Sequence, residues 1–246
     1  TKILINMKIN TSKDDLKDTG LSVSQRDFYN SFIEMGFPNK RKEDWKFTDL
    51  EKILNSNFDQ LTPLKEKTKL KCEKIFDFDH YAIINLNGSL IDYDLFPKNS
   101  IELAETNLKE VNHLKDHSIF EGAPYNLTPG RPTTELQAKK DQMLSLNLSF
   151  IDRGYSFQIV QNLEKPLVIY NYYNNNLQGK MINNTNSIKI LNSKCSIVEV
   201  DIDKSKSSYF KNTFQRYEIQ DSEVNYFFIN LKKNNAFNYT NNRINI

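Results

Sequence analysis

The chain has 246 residues, 38% of them apolar and 12% aromatic, with 16 Phe and 12 Tyr supplying much of the candidate core. Lys and Arg total 33 against 31 Asp and Glu, so the net charge of +2 argues against a general nucleic-acid binder. Two cysteines, Cys72 and Cys195, exclude a disulfide framework, and no apolar run reaches the ~18 residues of a membrane span.

The opening TKILINMKIN lacks a basic-then-apolar leader, so a reduced cytoplasmic setting is expected, with Met7 a candidate start. Residues 22 to 36 read as a helix. Ser22 and Gln25 form a capping box, Phe28, Phe32 and Met35 form one apolar stripe, Gly36 supplies the C-terminal cap, and Pro38 blocks continuation. A second box, Thr48-Asp-Leu-Glu51, opens another helix that buries Leu50, Ile53 and Leu54. Between them, Trp45 and Phe47 alternate with Asp44 and Lys46. In an extended segment both rings would point inward, and Trp45, the only tryptophan, would pin that segment to the helices.

Further on, Tyr81–Leu86 runs into Asn87-Gly88 and then Ser-Leu-Ile-Asp, a hairpin signal. Residues 101 to 122 read as partly helical. Residues 123 to 133, with three prolines and a glycine, read as a loop. From about 144 helical spacing gives way to short strands: Ser156–Val160, Leu167–Tyr173, Ser187–Leu191, Ser196–Ile202, Thr213–Gln220 and Glu223–Leu231. A repeat with an offset of 29 runs through them. It sets Ile188, Ile190, Cys195 and Ile197 over Tyr217, Ile219, Val224 and Tyr226, and the polar corner Asn192-Ser193 over Asp221-Ser222. Repeats of this kind build stacked coils, in which Cys195 is a small interior hydrophobe. A sandwich of hairpins also fits; the pattern favours the stack.

Few residues point to catalysis. His113 and His117 would share a helix face, but the intervening residues lack the Glu of a zinc protease, and His80 stands apart. No Cys-x-x-Cys exists for a ferredoxin-type cluster, and Gly88, Gly122, Gly130 and Gly154 form no phosphate loop. Asp201 and Asp203 lie on one side of a strand, as a carbohydrate-active β-helix would need. With Lys204 and Lys206 adjacent they read as a solvated turn. No catalytic, cofactor-binding or metal-binding residue is therefore assigned.

Several segments carry a family resemblance. Gly36-Phe-Pro-Asn-Lys-Arg-Lys-Glu-Asp-Trp-Lys-Phe-Thr-Asp-Leu50 resembles the amino-terminal signature of SufD, a scaffold subunit of the SUF iron–sulfur cluster assembly system. Ile84-Asn-Leu-Asn-Gly88, Leu144–Gly154, Lys165-Pro-Leu-Val-Ile169 and the Asn192-Ser and Asp221-Ser corners resemble later elements of that family, in family order. Ser149 in place of the usual Ala, Arg153 before Gly154, and the 123–133 loop depart from it.

The resemblance implies a mainly β protein: an amino-terminal helical and mixed α+β region over 1–140, then the first coils of an incomplete right-handed parallel β-helix over 141–246. It implies a non-enzymatic scaffold acting with a SufB-like sister subunit and a SufC-like ATPase. It implies no cofactor held by this chain, the iron–sulfur cluster being assembled transiently by the full complex; the charge balance and the lack of a long apolar run add the expectation of no nucleic-acid or membrane partner. The family's candidate histidine and its carboxy-terminal ATPase-docking region are expected beyond Ile246, so no functional residue carries over. The chain reads as a truncated member, expected not to retain the ATPase and to self-associate through Val224–Leu231. The alternatives are the SufB-like sister subunit, a β-helix carbohydrate-active enzyme and a β-rich interaction module.

Overall fold

A computed structural model describes residues 8–9, 21–65, 71–105, 141–151, 153–174, 177–231 and 236–246. The fold is mainly β, with two mixed, mostly parallel sheets and a few helices. The first sheet has the path β1 (Lys8–Ile9), β2 (Gln60–Pro63), β8 (Lys180–Leu191), β10 (Tyr209–Gln220), β12 (Ala236–Asn245). β6 (Tyr155–Ile159) also pairs β8 and carries β5 (Ile101–Glu105) antiparallel. The second sheet runs β11 (Glu223–Leu231), β9 (Lys194–Asp203), β7 (Leu167–Tyr173), β3 (Tyr81–Leu86), β4 (Ser89–Tyr93).

From β7 onward the chain alternates between the sheets, and each strand pairs parallel with the strand two elements on. The 29-residue repeat is the observed register. Ile188 pairs with Tyr217 and Ile190 with Ile219 in one sheet, while Cys195 pairs with Val224 and Ile197 with Tyr226 in the other. The polar corners repeat as well. Asn192 and Asp221 both adopt φ 48, a left-handed conformation in which Asn and Asp are tolerated. The Asn192 N–H donates to the Gln220 carbonyl, and the Ser193 N–H donates to the Ser222 hydroxyl. The amino-terminal region is built into the same sheets, since β2 pairs β8 and β3 pairs β7.

α1 (Val23–Met35) has the expected capping box between Ser22 and Gln25, and Gly36 closes it at φ 67 with its N–H on the Phe32 carbonyl. Its buried Tyr29 and Phe32 join Leu54, Phe58, Met143, Leu146, Phe150, Met181 and Phe210 in the core between the helices and the first sheet. The 81–92 hairpin also forms, with Asn87 and Gly88 at φ 51 and φ 83, as a tight two-residue turn needs.

Three expectations are corrected. Thr48 is not the cap of α2 (Leu50–Asn57); Asp49 is, its carboxylate accepting the Lys52 N–H. Trp45 lies in a 3-10 turn, Glu43–Trp45, not in an extended segment. A turn abolishes two-residue alternation, so Trp45 packs partly buried against Tyr239 while Phe47 points out at 87% exposure. Residues 142 to 150 form a helix, α3 (Gln142–Phe150), although the sequence pattern places the start of the strand-like texture at about 144; all nine residues are buried. The 123–133 loop and most of 101–122 lie outside the described residues.

α3 returns to the sheets through Arg153 and Gly154. Arg153 is 1% exposed and donates to the carbonyls of Asn87, at 3.0 Å, and Leu64, at 2.6 Å, tying the hairpin to the end of β2. Gly154 holds φ 137, and a Cβ there would stand 2.0 Å from the Thr185 carbonyl oxygen. Only glycine permits that approach. Gly154→Ala is expected to cost about 3 kcal/mol or more, read as a lowered midpoint in urea unfolding; a wild-type midpoint would contradict the close approach.

Candidate functional site

Two features stand out: a polar ladder buried between the sheets, and the strand edge on which it ends. Towards the 192–193 corner, the space between the sheets is apolar, filled by Phe157, Ile159, Leu167, Ile169, Ile188, Ile190, Cys195 and Ile197. Further along the same strands the inward positions turn polar. β9 contributes Glu199, Asp201 and Asp203, each 5% exposed or less. β10 contributes Lys211 and Gln215, and β7 contributes Asn171 and Tyr173, all buried.

The ladder is stitched across strands. Asn85 donates to Asn171 at 2.9 Å, and Asn171 donates to Glu199 at 2.8 Å and to Asp201 at 3.0 Å. Register makes this possible, because Asn85, Asn171 and Asp201 are successive partners across β3, β7 and β9. Lys211 reaches across from the other sheet to Asp201 at 3.1 Å and to the Tyr173 hydroxyl at 3.0 Å. Glu199 also accepts from Gln215, at 3.0 Å, and from the Tyr226 hydroxyl of β11. Tyr226 in turn accepts from Tyr217 at 2.8 Å.

The expectation that Asp201 and Asp203 form a solvated turn beside Lys204 and Lys206 is overturned. Parity turns both carboxylates inward, where Asp201 meets Lys211, a partner eight residues beyond Asp203 in sequence. Among the described residues these carboxylates are buried between the sheets, away from the open groove a glycosidase needs. The sequence signal for the ladder was their spacing by two on a strand; the neighbouring lysines masked it.

Burial opposes a charge on Lys211, but Asp201, with Glu199 behind it, outweighs that and holds its pKa above the ordinary lysine value of 10.5. Burial, then the nearby acids, drives the Tyr155 and Tyr173 hydroxyls well above the ordinary 10.0. Tyr217 and Tyr226 rise for the same two reasons. Every shift has one sign: the folded chain holds these protons more tightly than the unfolded chain does. Their stabilisation is fully present below pH 10.0 and is lost as pH rises through the folded values.

The remaining candidates are dispersed. His80 is buried, with Nδ1 2.6 Å from the Phe78 carbonyl and Nε2 2.9 Å from the Tyr170 hydroxyl. His113 and His117 lie outside the described residues. Cys195 is buried, and burial lifts its thiol to about 11; Cys72 is half-buried and its thiol is raised by the same cause. Among the described residues no three His, Cys, Asp or Glu side chains gather as metal ligands, and no helix is long and apolar enough to cross a membrane.

The ladder ends at an edge. Among the described residues β11 ends one edge of its sheet, as β12 ends one edge of the other. Tyr226, Phe227, Phe228 and Leu231 are 37%, 57%, 55% and 49% exposed, and Ile244 on β12 is 59% exposed. Phe228 pairs with Glu199 in the register, so it lies directly over the end of the buried ladder. An uncharged aromatic edge with free backbone groups is a template for another strand.

A scan against family models finds no match for this chain, and a search of curated proteins finds none.

Three outcomes are expected. Lys211→Met leaves Asp201 buried without its ammonium and is expected to cost about 3–5 kcal/mol in urea unfolding at neutral pH. In the wild-type chain, part of the tyrosinate absorbance, that of the buried cluster, is expected to appear only together with unfolding above pH 10; ionisation of all 12 tyrosines near pH 10 without loss of structure would contradict the buried cluster. The 246-residue chain is expected to self-associate at micromolar concentration in sedimentation, and Phe228→Lys to restore the monomer. A wild-type monomer would show that the β11 edge does not pair.

Proposed function

We propose that this chain is a scaffold subunit of the SUF type of iron–sulfur cluster assembly complex, SufD-like, with no catalysis of its own. On this reading its two sheets are the first coils of a right-handed parallel β-helix. The observation that carries the proposal is the alternation of β7 to β12 between two sheets at a register of about 29 residues, the arrangement that the resemblance implied for this region. The Gly36–Leu50 signature and the later motifs, in family order, supply the link to that family.

The chemistry of the edge fits a scaffold. A subunit whose partner adds strands needs backbone groups in register and an apolar face to bury, and β11 offers both. On this reading a SufB-like subunit pairs with the strand stack, a SufC-like ATPase completes the complex, and the iron–sulfur cluster is cargo of the assembly. The inward turn of Asp201 and Asp203 weighs against the carbohydrate-active alternative.

The test is isolation of the tagged protein from its native source under mild conditions. Recovery of SufB-like and SufC-like subunits in fixed ratio is the expected result. Recovery of the protein without either would overturn the proposal and leave a β-rich interaction module.

A further inference from the structure

We infer that residues 71–80 are a strap over the outer face of the second sheet, that His80 latches it, and that acidification releases it. This inference does not rest on the scaffold proposal or on the β11 edge.

The inward positions of β7 and β9 carry the polar ladder, so Val168, Tyr170, Tyr172 and Val200 turn to the other side of the sheet. All four are 2% exposed or less, in a cluster against which Cys72 and Phe76 pack. Residues 71–80 belong to no strand or helix. Side chains hold the segment down. The Tyr172 hydroxyl donates to the Glu73 carbonyl, the Lys74 ammonium meets Asp94 at 2.7 Å, and the Phe76 ring lies 5.9 Å from that of Tyr170. A segment held in this way, without a ladder of backbone bonds, opens at a lower free energy than the sheet beneath it.

His80 is buried where the strap joins β3. A carbonyl only accepts, so Nδ1, 2.6 Å from the Phe78 carbonyl, carries the proton of the neutral ring. Nε2, 2.9 Å from the Tyr170 hydroxyl, is then the acceptor and Tyr170 the donor. The Tyr170 oxygen is already engaged. Burial raises the pKa of this hydroxyl, and the backbone N–H groups of Phe76 and Ile75 bond to it and oppose that rise. A second proton on the ring therefore aims a third donor at that oxygen and strips the buried Tyr170 O–H of its acceptor. It also places a charge where, among the described residues, no carboxylate meets the ring. Tyr170 is the titratable group that faces it from β7. Asp94, past the end of β4, acts on Tyr170 but is held by Lys74 and by the Ala82 N–H at 2.8 Å. On the strap, Asp79 pairs with Lys165 at 2.7 Å, and Asp77 is exposed. The Phe78 and Phe76 rings, at 5.0 and 6.5 Å, attract a cation but offer no oxygen to accept the displaced O–H. The closed strap thus fits the neutral ring, and closure weakens as pH falls.

The test is hydrogen exchange of the full chain at about pH 7.5 and about pH 5, the span over which histidines take up a proton, with rates corrected for their intrinsic pH dependence. The Ile75 and Phe76 amides are expected to lose protection about tenfold or more in acid, while β8 and β10 keep theirs. His80→Gln has no proton to gain, so its strap is expected to show equal protection at both pH values, whether high or low. Nitrogen NMR of the neutral ring, assigned by its loss in His80→Gln, is expected to find the proton on Nδ1. Four results would each overturn the inference: unchanged protection in the wild-type strap, an acid loss that extends across β8 and β10, a proton on Nε2, or an acid response that survives in His80→Gln. The last would assign the response to a carboxylate such as Asp94.

Discussion

Everything in this molecule rests on the parallel register that sets each residue of β8 and β9 against the residue 29 positions on in β10 and β11. A fixed register is a strict constraint, because a slip of one residue turns every inward side chain outward. In the apolar half of the interior, that constraint lines up Ile188, Ile190, Cys195 and Ile197 beneath Tyr217, Ile219, Val224 and Tyr226. In the polar half the parallel register of β7 on β9 sets Asn171 against Asp201 and within hydrogen-bonding distance of Glu199 as well.

The polar half explains how the two sheets hold one arrangement. Apolar packing alone tolerates sliding, whereas a buried carboxylate tolerates only positions that supply donors. Asp201 takes Lys211 from the facing sheet, and Glu199 takes Asn171, Gln215 and Tyr226 from three different strands. Such networks add little net stability over an apolar core but penalise misregistered states heavily. Tyr226 extends the network to the outermost strand, so β11 is held in register by the same carboxylate that fixes the interior.

Local signals were legible in the sequence. The Ser22–Gln25 box, the Gly36 cap, the Asn87-Gly88 turn and the polar corners each rest on chemistry within a few residues. The strand Leu167–Tyr173 was legible to the residue, and the 29-residue repeat gave the register. What escaped depends on tertiary context. α3 has no helical signature in the sequence because Leu144, Leu146 and Leu148 alternate, and a helix enclosed on all sides has no polar face to reveal its period. Phe47 and Asp201 depart from the sequence pattern for opposite reasons: a turn puts an aromatic outside, and a distant lysine lets an acid go inside. Arg153 gave no signal at all, since its partners are backbone carbonyls of remote segments.

The register is the claim to test directly. Cys195 and Val224 are paired neighbours on adjacent parallel strands, β9 and β11. Adjacent strands lie about 4.8 Å apart, within the Cα separation a disulfide spans. With Cys72 replaced by serine, Val224→Cys is predicted to form an intramolecular bridge to Cys195 on mild oxidation, seen as one crosslinked peptide by mass spectrometry. Free thiols at both positions in the folded, oxidised protein would contradict the stacked register.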